Sequence, residues 1–178
     1  IVTLFFTCCT GQYNNDELTI FKYNESAGIA TLDPAFAKDQ ATIWATNQLF
    51  NGLVQLDNEL NVQPSIAKSW TISGDALIYT FSLRNDVFFH NDELFEKGKG
   101  RKVIAQDFEY SFNRLLNKKL AAPGAWVLSN VNSFKAENDS VFSIELRTPF
   151  PAFLSLLSMQ YCSVVPREII EARDFNRQ

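Results

Sequence analysis

The sequence predicts an α+β fold, and three observations carry that prediction. Short stretches with apolar residues at every second position recur, as at 77–83 and 141–146. One stretch, Ala105 to Leu116, has a helical period instead, with Phe108, Phe112, Leu115 and Leu116 at i, i+4, i+7 and i+8. Strand-like and helix-like segments follow one another without the regular beat of a βαβ protein, which leaves the mixed class.

Along the chain, Leu18 to Tyr23 is β-branched and aromatic and reads as a first strand. In Leu32-Asp33-Pro34-Ala35, Pro34 fixes its own φ and keeps Asp33 out of helical geometry, so a turn is expected. Ala41 to Phe50 follows as an amphipathic helix whose apolar face is Ile43, Trp44, Leu49 and Phe50. Asn51-Gly52 ends it, with Gly52 expected in the left-handed C-terminal position, and Leu53 to Leu56 is a brief strand.

Ala76 to Leu83 turns Leu77, Tyr79, Phe81 and Leu83 to one face. Its hairpin partner is Trp70 to Ile72, across Ser73-Gly74-Asp75. Val141 to Leu146 alternates in the same way and pairs with 134–136 across Asn138-Asp139. In the helix at 105–116, Asp107 sits in the first turn and Arg114 near the end, each where the helix dipole favours its charge. Two more helices are expected, over Ala152 to Met159 and from Pro166, an N1 proline, through Arg167 to Arg173.

Composition excludes several functions. The 178 residues are 46% hydrophobic and 20% charged, ordinary for a soluble domain. The net charge of −4 comes from 16 basic and 20 acidic residues scattered along the chain, so no basic stripe offers itself to nucleic acid. No apolar run approaches the ~18 residues of a membrane span. With one His and no CxxC, neither a metal site nor a cofactor is expected.

Asp33 with Asp39, and Asp107 with Glu109, read as turn and helix-start residues rather than acid–base pairs. His90 reads as structural at a strand-to-turn junction. Gly98 to Lys102 lacks phosphate-loop spacing and belongs to a solvated charged loop, Glu93 to Lys102. Cys162, inside the apolar stretch Met159 to Val165, reads as a small core residue. An enzyme is therefore not expected. Trp126, which follows Ala121-Ala122-Pro123-Gly124 and fits no periodic face, is a candidate for lining a cleft.

Ile1 to Phe6 is almost wholly apolar and is followed by Cys8, Cys9 and a polar stretch from Thr10 to Glu17. This reads as the end of a signal-peptide core, a lipid-anchor cysteine (Cys8 or Cys9) and a tether, together 1–17. The same pair can also be read as two buried or paired cysteines.

Six motifs in order give the chain a family resemblance. They are Leu32-Asp33-Pro34-Ala35, Leu49-Phe50-Asn51-Gly52-Leu53-Val54 and Pro64-Ser65-Ile66-Ala67-Lys68-Ser69-Trp70, then residues 79–87 with Phe89-His90, residues 105–115, and Pro149-Phe150-Pro151-Ala152-Phe153-Leu154. Over about Leu18 to Ala172 the chain resembles extracellular solute-binding protein family 5, which includes oligopeptide- and dipeptide-binding components of ABC importers. The resemblance implies the first lobe of a two-lobed, type II periplasmic-binding-protein clamp. Residues 18–40 and 150–178 would belong to the main sheet domain and 41–149 to an accessory domain.

It implies a monomeric, substrate-capturing lipoprotein of the periplasm or cell surface. Its expected partners are a peptide or other small solute, the permease subunits, and the membrane through its lipid anchor. A stand-alone interaction domain, or a binder of nickel, haem or oligosaccharide, is the alternative.

By spacing from Pro34, the cleft-lining stretch of peptide-binding relatives falls on Lys38, Asp39 and Gln40. A second cleft contact falls on Gly124, which has no side chain, so Trp126 is the replacement candidate. Where family members commonly cap the long helix with Thr, this chain has Ile104, a loss of about 1 kcal/mol unless another group caps the helix.

Overall fold

A computed structural model describes residues 24–173. Cys8, Cys9, the tether within 1–17 and the strand expected at Leu18 to Tyr23 lie outside the described residues. A 3-10 turn, Pro34–Phe36, leads into helix α1 (Gln40–Leu49), and strands β1 (Val54–Leu56) and β2 (Val62–Pro64) form a two-stranded ladder. Strands β3 (Ala67–Ile72) and β4 (Ile78–Leu83) are followed by a long loop and helix α2 (Ala105–Leu115). Another 3-10 turn, Pro123–Leu128, precedes β5 (Val131–Asn138) and β6 (Val141–Leu146). The described residues close with helix α3 (Phe153–Leu157), the turn Gln160–Cys162 and helix α4 (Arg167–Ala172).

The alternating segments form one antiparallel sheet, in the order β3-β4-β6-β5. The two strands with the cleanest alternation, β4 and β6, take the centre. Phe81 lies opposite Phe142 and Tyr79 opposite Ile144, so both inward faces coincide. Tyr79, Phe81, Leu83, Phe142, Ile144 and Leu146 are all buried. The edge strands β3 and β5 are mostly exposed and each carries a register shift, both of which blunt an edge against further pairing.

Helix α2 lies across β5 and β6 and meets them through aromatic rings. Phe112 packs edge-on against Phe134 and Phe142, each at 5.5 Å between centroids, and Phe108 lies 5.9 Å from Phe142. Edge-to-face geometry sets the electropositive ring edge against the neighbour's electron-rich face, beyond what burial alone contributes. The stripe differs from the expected one at its end. Leu116 is 40% exposed, while Ala105, Asp107 and Ser111 share the buried face.

Asp107 makes good the cap that Ile104 lacks. Its carboxylate accepts the Ile104 N–H at 2.9 Å, and the Asp139 carbonyl accepts the Ala105 N–H at 2.9 Å.

Three further expectations are corrected. Helix α1 buries Ala41, Thr42 and Thr46, whereas Trp44 and Leu49 are exposed. Thr46 Oγ1 donates to the Thr42 carbonyl at 2.8 Å, so the buried hydroxyl is satisfied by its own helix. Gly52 does not take the left-handed position, since α1 ends at Phe50 in extended geometry. A Cβ on Gly52 would lie 3.3 Å from the Leu157 carbonyl oxygen and 3.4 Å from that of Cys162, so close approach to the α3 turn explains the glycine. Pro166 stands at the N-cap of α4 rather than inside it.

The loop at 93–102 is pinned rather than simply solvated. Phe95 is buried and stacks on Phe89 at 6.1 Å, and Phe88 bridges to Lys102. A Cβ on Gly100 would sit 1.8 Å from the Phe89 carbonyl oxygen, so only glycine fits there.

Phe112→Ala removes the ring on which α2, β5 and β6 converge. It is expected to lower unfolding free energy by about 3–5 kcal/mol in a urea titration. A loss under about 1 kcal/mol would show that this aromatic contact does not hold the helix to the sheet.

Candidate ligand-binding face

The stretch from Asp33 to Gln40 is held from both ends. Asp33 is fully buried at the N-cap of the Pro34–Phe36 turn, where its Oδ1 accepts the Ala35 N–H at 3.0 Å. Arg114, from the last turn of α2, reaches it with both terminal nitrogens. Nη1 donates to Oδ1 at 2.9 Å, and Nη2 donates to Oδ2. This two-pronged ion pair ties the turn to the helix that covers the sheet, with the Arg114 side chain only 12% exposed. Sequence reasoning placed both residues correctly but missed the pairing, because 81 positions separate them and each already had a local role.

Beyond the turn, Ala37 adopts φ −71° and ψ 74°, and the Lys38 N–H donates to the Phe36 carbonyl at 2.8 Å, an inverse γ-turn. Asp39 then caps α1. Its Oδ1 accepts the Thr42 N–H at 2.9 Å and its Oδ2 the Thr42 hydroxyl at 3.0 Å. The Thr42 backbone N–H, with the hydroxyl, holds the Asp39 carboxyl below the usual carboxylate range. Asp39 is therefore committed to the helix, while Lys38 is exposed and forms no ion pair among the described residues.

Two recesses flank this stretch. Lys38 and Asp39 line one of about 430 Å³ with Ala30, Thr31, Phe36, Ala121 and Pro123. Asp39 and Gln40 line another of about 340 Å³, against 24–27 and Trp44. The expected triad thus lies along one surface, with Asp39 shared between the two hollows. Trp126 is 53% exposed in the Pro123–Leu128 turn and is not part of the Lys38 recess wall. Gly124 is buried, and a Cβ there would lie 2.2 Å from the Tyr161 ring, so that packing explains the missing side chain.

A third recess, about 380 Å³ and largely apolar, opens between the 87–95 loop and α4, with His90 at its rim. Arg101 ties together elements next to it. It pairs with Asp107 of α2 at 2.7 Å and with Glu168 of α4 at 2.6 Å, and lies 5.1 Å from the Phe89 ring centre. Asp107, more than any other neighbour, holds the guanidinium protonated. Arg101 in turn holds the Glu168 carboxyl below its ordinary range. Arg173 adds contacts to Asp92 and Glu93, both at 2.8 Å.

Cys162 is buried as expected, and burial pushes its thiol up to about 12. Among the described residues no group of His, Cys, Asp and Glu is placed to hold a metal, and no helix is long and apolar enough to cross a membrane.

Arg114→Met leaves the Asp33 carboxylate buried without its partner and is expected to cost about 3–5 kcal/mol of stability at neutral pH. A urea midpoint unchanged from the parent would refute the anchoring role. For Glu168, the depressed folded pKa means its contribution is present above the ordinary glutamate value of about 4.3 and fades as pH falls through the lower folded value. Stability curves of the parent and Glu168→Gln should therefore converge in acid and separate towards pH 7. Parallel curves would show that the pair is not coupled to folding.

Comparison with known proteins gives the family of the chain. The chain is 27% identical over 168 residues to the probable deoxycholate-binding periplasmic protein YgiS of Escherichia coli K12, covering 85% of this chain and 30% of that protein. It is 32% identical over 144 residues to the periplasmic murein peptide-binding protein MppA of the same strain, covering 71% and 25%. The structure of the ABC transporter-associated periplasmic binding protein DppA from Helicobacter pylori, in complex with the peptide STSA, matches with a TM-score of 0.71 at 28% identity. That match covers 81% of this chain and 30% of that one. The chain thus spans 30% or less of the length of these proteins. A profile described as bacterial extracellular solute-binding proteins, family 5 Middle, matches residues 61–177, from β2 through α4, and the chain belongs to that family.

Proposed function

We propose that the full-length protein captures oligopeptides or dipeptides outside the cytoplasmic membrane and hands them to the permease subunits of an ABC importer, without chemical conversion. The described residues belong to the first lobe of a clamp that closes by hinge motion. In this reading 18–40 and 150–178 form part of the main sheet domain, and 41–149 form the accessory domain. The protein works as a monomer in the periplasm or at the cell surface, anchored through a lipid on Cys8 or Cys9.

The observation that carries the reading is the braced stretch 33–40. The Asp33–Arg114 pair, the γ-turn at Ala37 and the Asp39 cap fix its backbone before any ligand arrives. A preformed backbone loses little entropy on binding. Lys38 and Gln40 then face the ligand from a fixed ledge, and exposed Trp126 offers a flat apolar surface beyond Pro123. Peptide-binding relatives such as the murein peptide-binding protein support peptides as the ligand class. Ordered water in roomy hollows would let one site accept varied side chains.

Calorimetric titration of the full-length protein with di- to pentapeptides tests this. Binding near about 1 μM, around −8 kcal/mol, is expected for at least one length, with none for residues 24–173 alone. Silence across the whole peptide series would overturn the ligand class. Equal binding by the isolated lobe would overturn the clamp. For the anchor, replacing both Cys8 and Cys9 by Ala should release the protein from the membrane fraction, and retention would refute the lipid attachment.

A further inference from the structure

The apolar recess between the 87–95 loop and α4 has large apolar side chains that water still reaches. Phe88 is 61% exposed and Leu49 is 41% exposed, and Phe50, Phe89 and Ile169 continue the same lining. Phe88 is not exposed through looseness. Its backbone bridges to Lys102, the Phe89 N–H donates to the Arg101 carbonyl at 3.0 Å, and Gly100 is pressed against the Phe89 carbonyl. A firmly held aromatic ring beside an apolar hollow marks a surface that another group covers. The carboxylate in the lining, Asp92, is already paired with Arg173 at 2.8 Å, so a cation entering the recess would find no free partner. The rest of the lining is mainly aliphatic and aromatic, and apolar side chains are the occupant that suits it.

The path of the chain at α4 says which occupant is at hand. Helix α4 forms one wall through Ile169, and Glu168 ties that helix to Arg101 at 2.6 Å. Directly after the helix, Arg173 donates to Asp92 and to Glu93, both at 2.8 Å, so the chain is clamped beside the recess as it leaves α4. Five residues separate Arg173 from Gln178. An extended chain advances at most about 3.6 Å per residue, so whatever follows Gln178 starts within about 18 Å of that clamp. The similar proteins are more than three times as long as the part of them that this chain matches.

We infer that in the full-length protein the segment following Gln178 turns back across this recess and seats aromatic or branched aliphatic side chains against Phe88, Leu49 and Ile169. The recess is then an internal seam that fixes the first lobe to the remainder of the chain, and not a second solute site. This rests on the reading of the chain as part of a longer protein, and it needs no peptide to be bound.

Full-length protein with p-benzoylphenylalanine in place of Phe88 tests the seam, because on irradiation the benzophenone bonds to C–H groups that touch it. The principal product is expected to keep the mass of one chain, with its other end mapping beyond residue 178. A principal product that joins two copies, or whose other end lies within residues 1–178, overturns the inference, as does a native chain that ends at Gln178. Maleimide labelling of Phe88→Cys and Ile72→Cys, each in full-length Cys8→Ala/Cys9→Ala protein, gives the second measurement. Ile72 is 44% exposed and does not line the recess, so an uncovered position 88 would label at least as fast. Cover is expected to slow position 88 at least about tenfold, since its thiol then reacts only while the segment is open. Equal rates overturn the seam, and both results are required for it to stand. Neither measurement contains a peptide, so failure here leaves the ligand to the calorimetric series, and silence in that series leaves the seam to these two readouts.

Discussion

The buried pair between Asp33 and Arg114 is the contact on which the arrangement of the candidate site depends. A carboxylate with no solvent exposure is tolerable only if a partner of opposite charge meets both oxygens, and the guanidinium fork does so. Arg114 is carried by α2, which the Phe108, Phe112, Phe134 and Phe142 rings hold to the sheet. The position of an exposed segment near residue 38 is thus set by an aromatic core, through one ion pair.

Similar logic recurs at the other end of the described residues. Arg101 joins the start of α2 to α4, and Arg173 joins the end of α4 to the 92–93 corner. These pairs lie nearer the surface and are individually weaker than a buried one. Their value is geometric, because they fix a long loop and a short helix that have little apolar surface of their own. Helix α2 stands at the centre of both networks. Its Asp107 receives Arg101 and completes the cap at Ile104, while its Arg114 holds Asp33.

The glycines sort themselves by the same packing. Gly100 and Gly124 stand where a neighbouring backbone or ring leaves no room for a Cβ, Gly52 where a Cβ would be tight against the Leu157 carbonyl, and none of them needs a left-handed conformation. Gly124 bears most on function. Tyr161 occupies the space a side chain would fill, so the wall near Pro123 is shaped by that ring.

Local patterns alone determined the α+β class, the hairpins at 70–83 and 134–146, the extent of α2 and the burial of Cys162. Each follows from periodicity or turn chemistry within a dozen residues, where side-chain spacing and backbone geometry are tied directly. The family motifs are what make the stretch at Lys38 to Gln40 a candidate for the cleft. Tertiary structure alone decided which face of α1 is buried, why Gly52 and Gly124 are glycines, that the 93–102 loop is pinned, and that Asp33 and Arg114 meet. Those outcomes depend on which distant surface arrives at a position. A threonine can be buried against its own helix, and a carboxylate can find a guanidinium 81 residues away, because packing in three dimensions brings together groups that spacing along the chain does not relate.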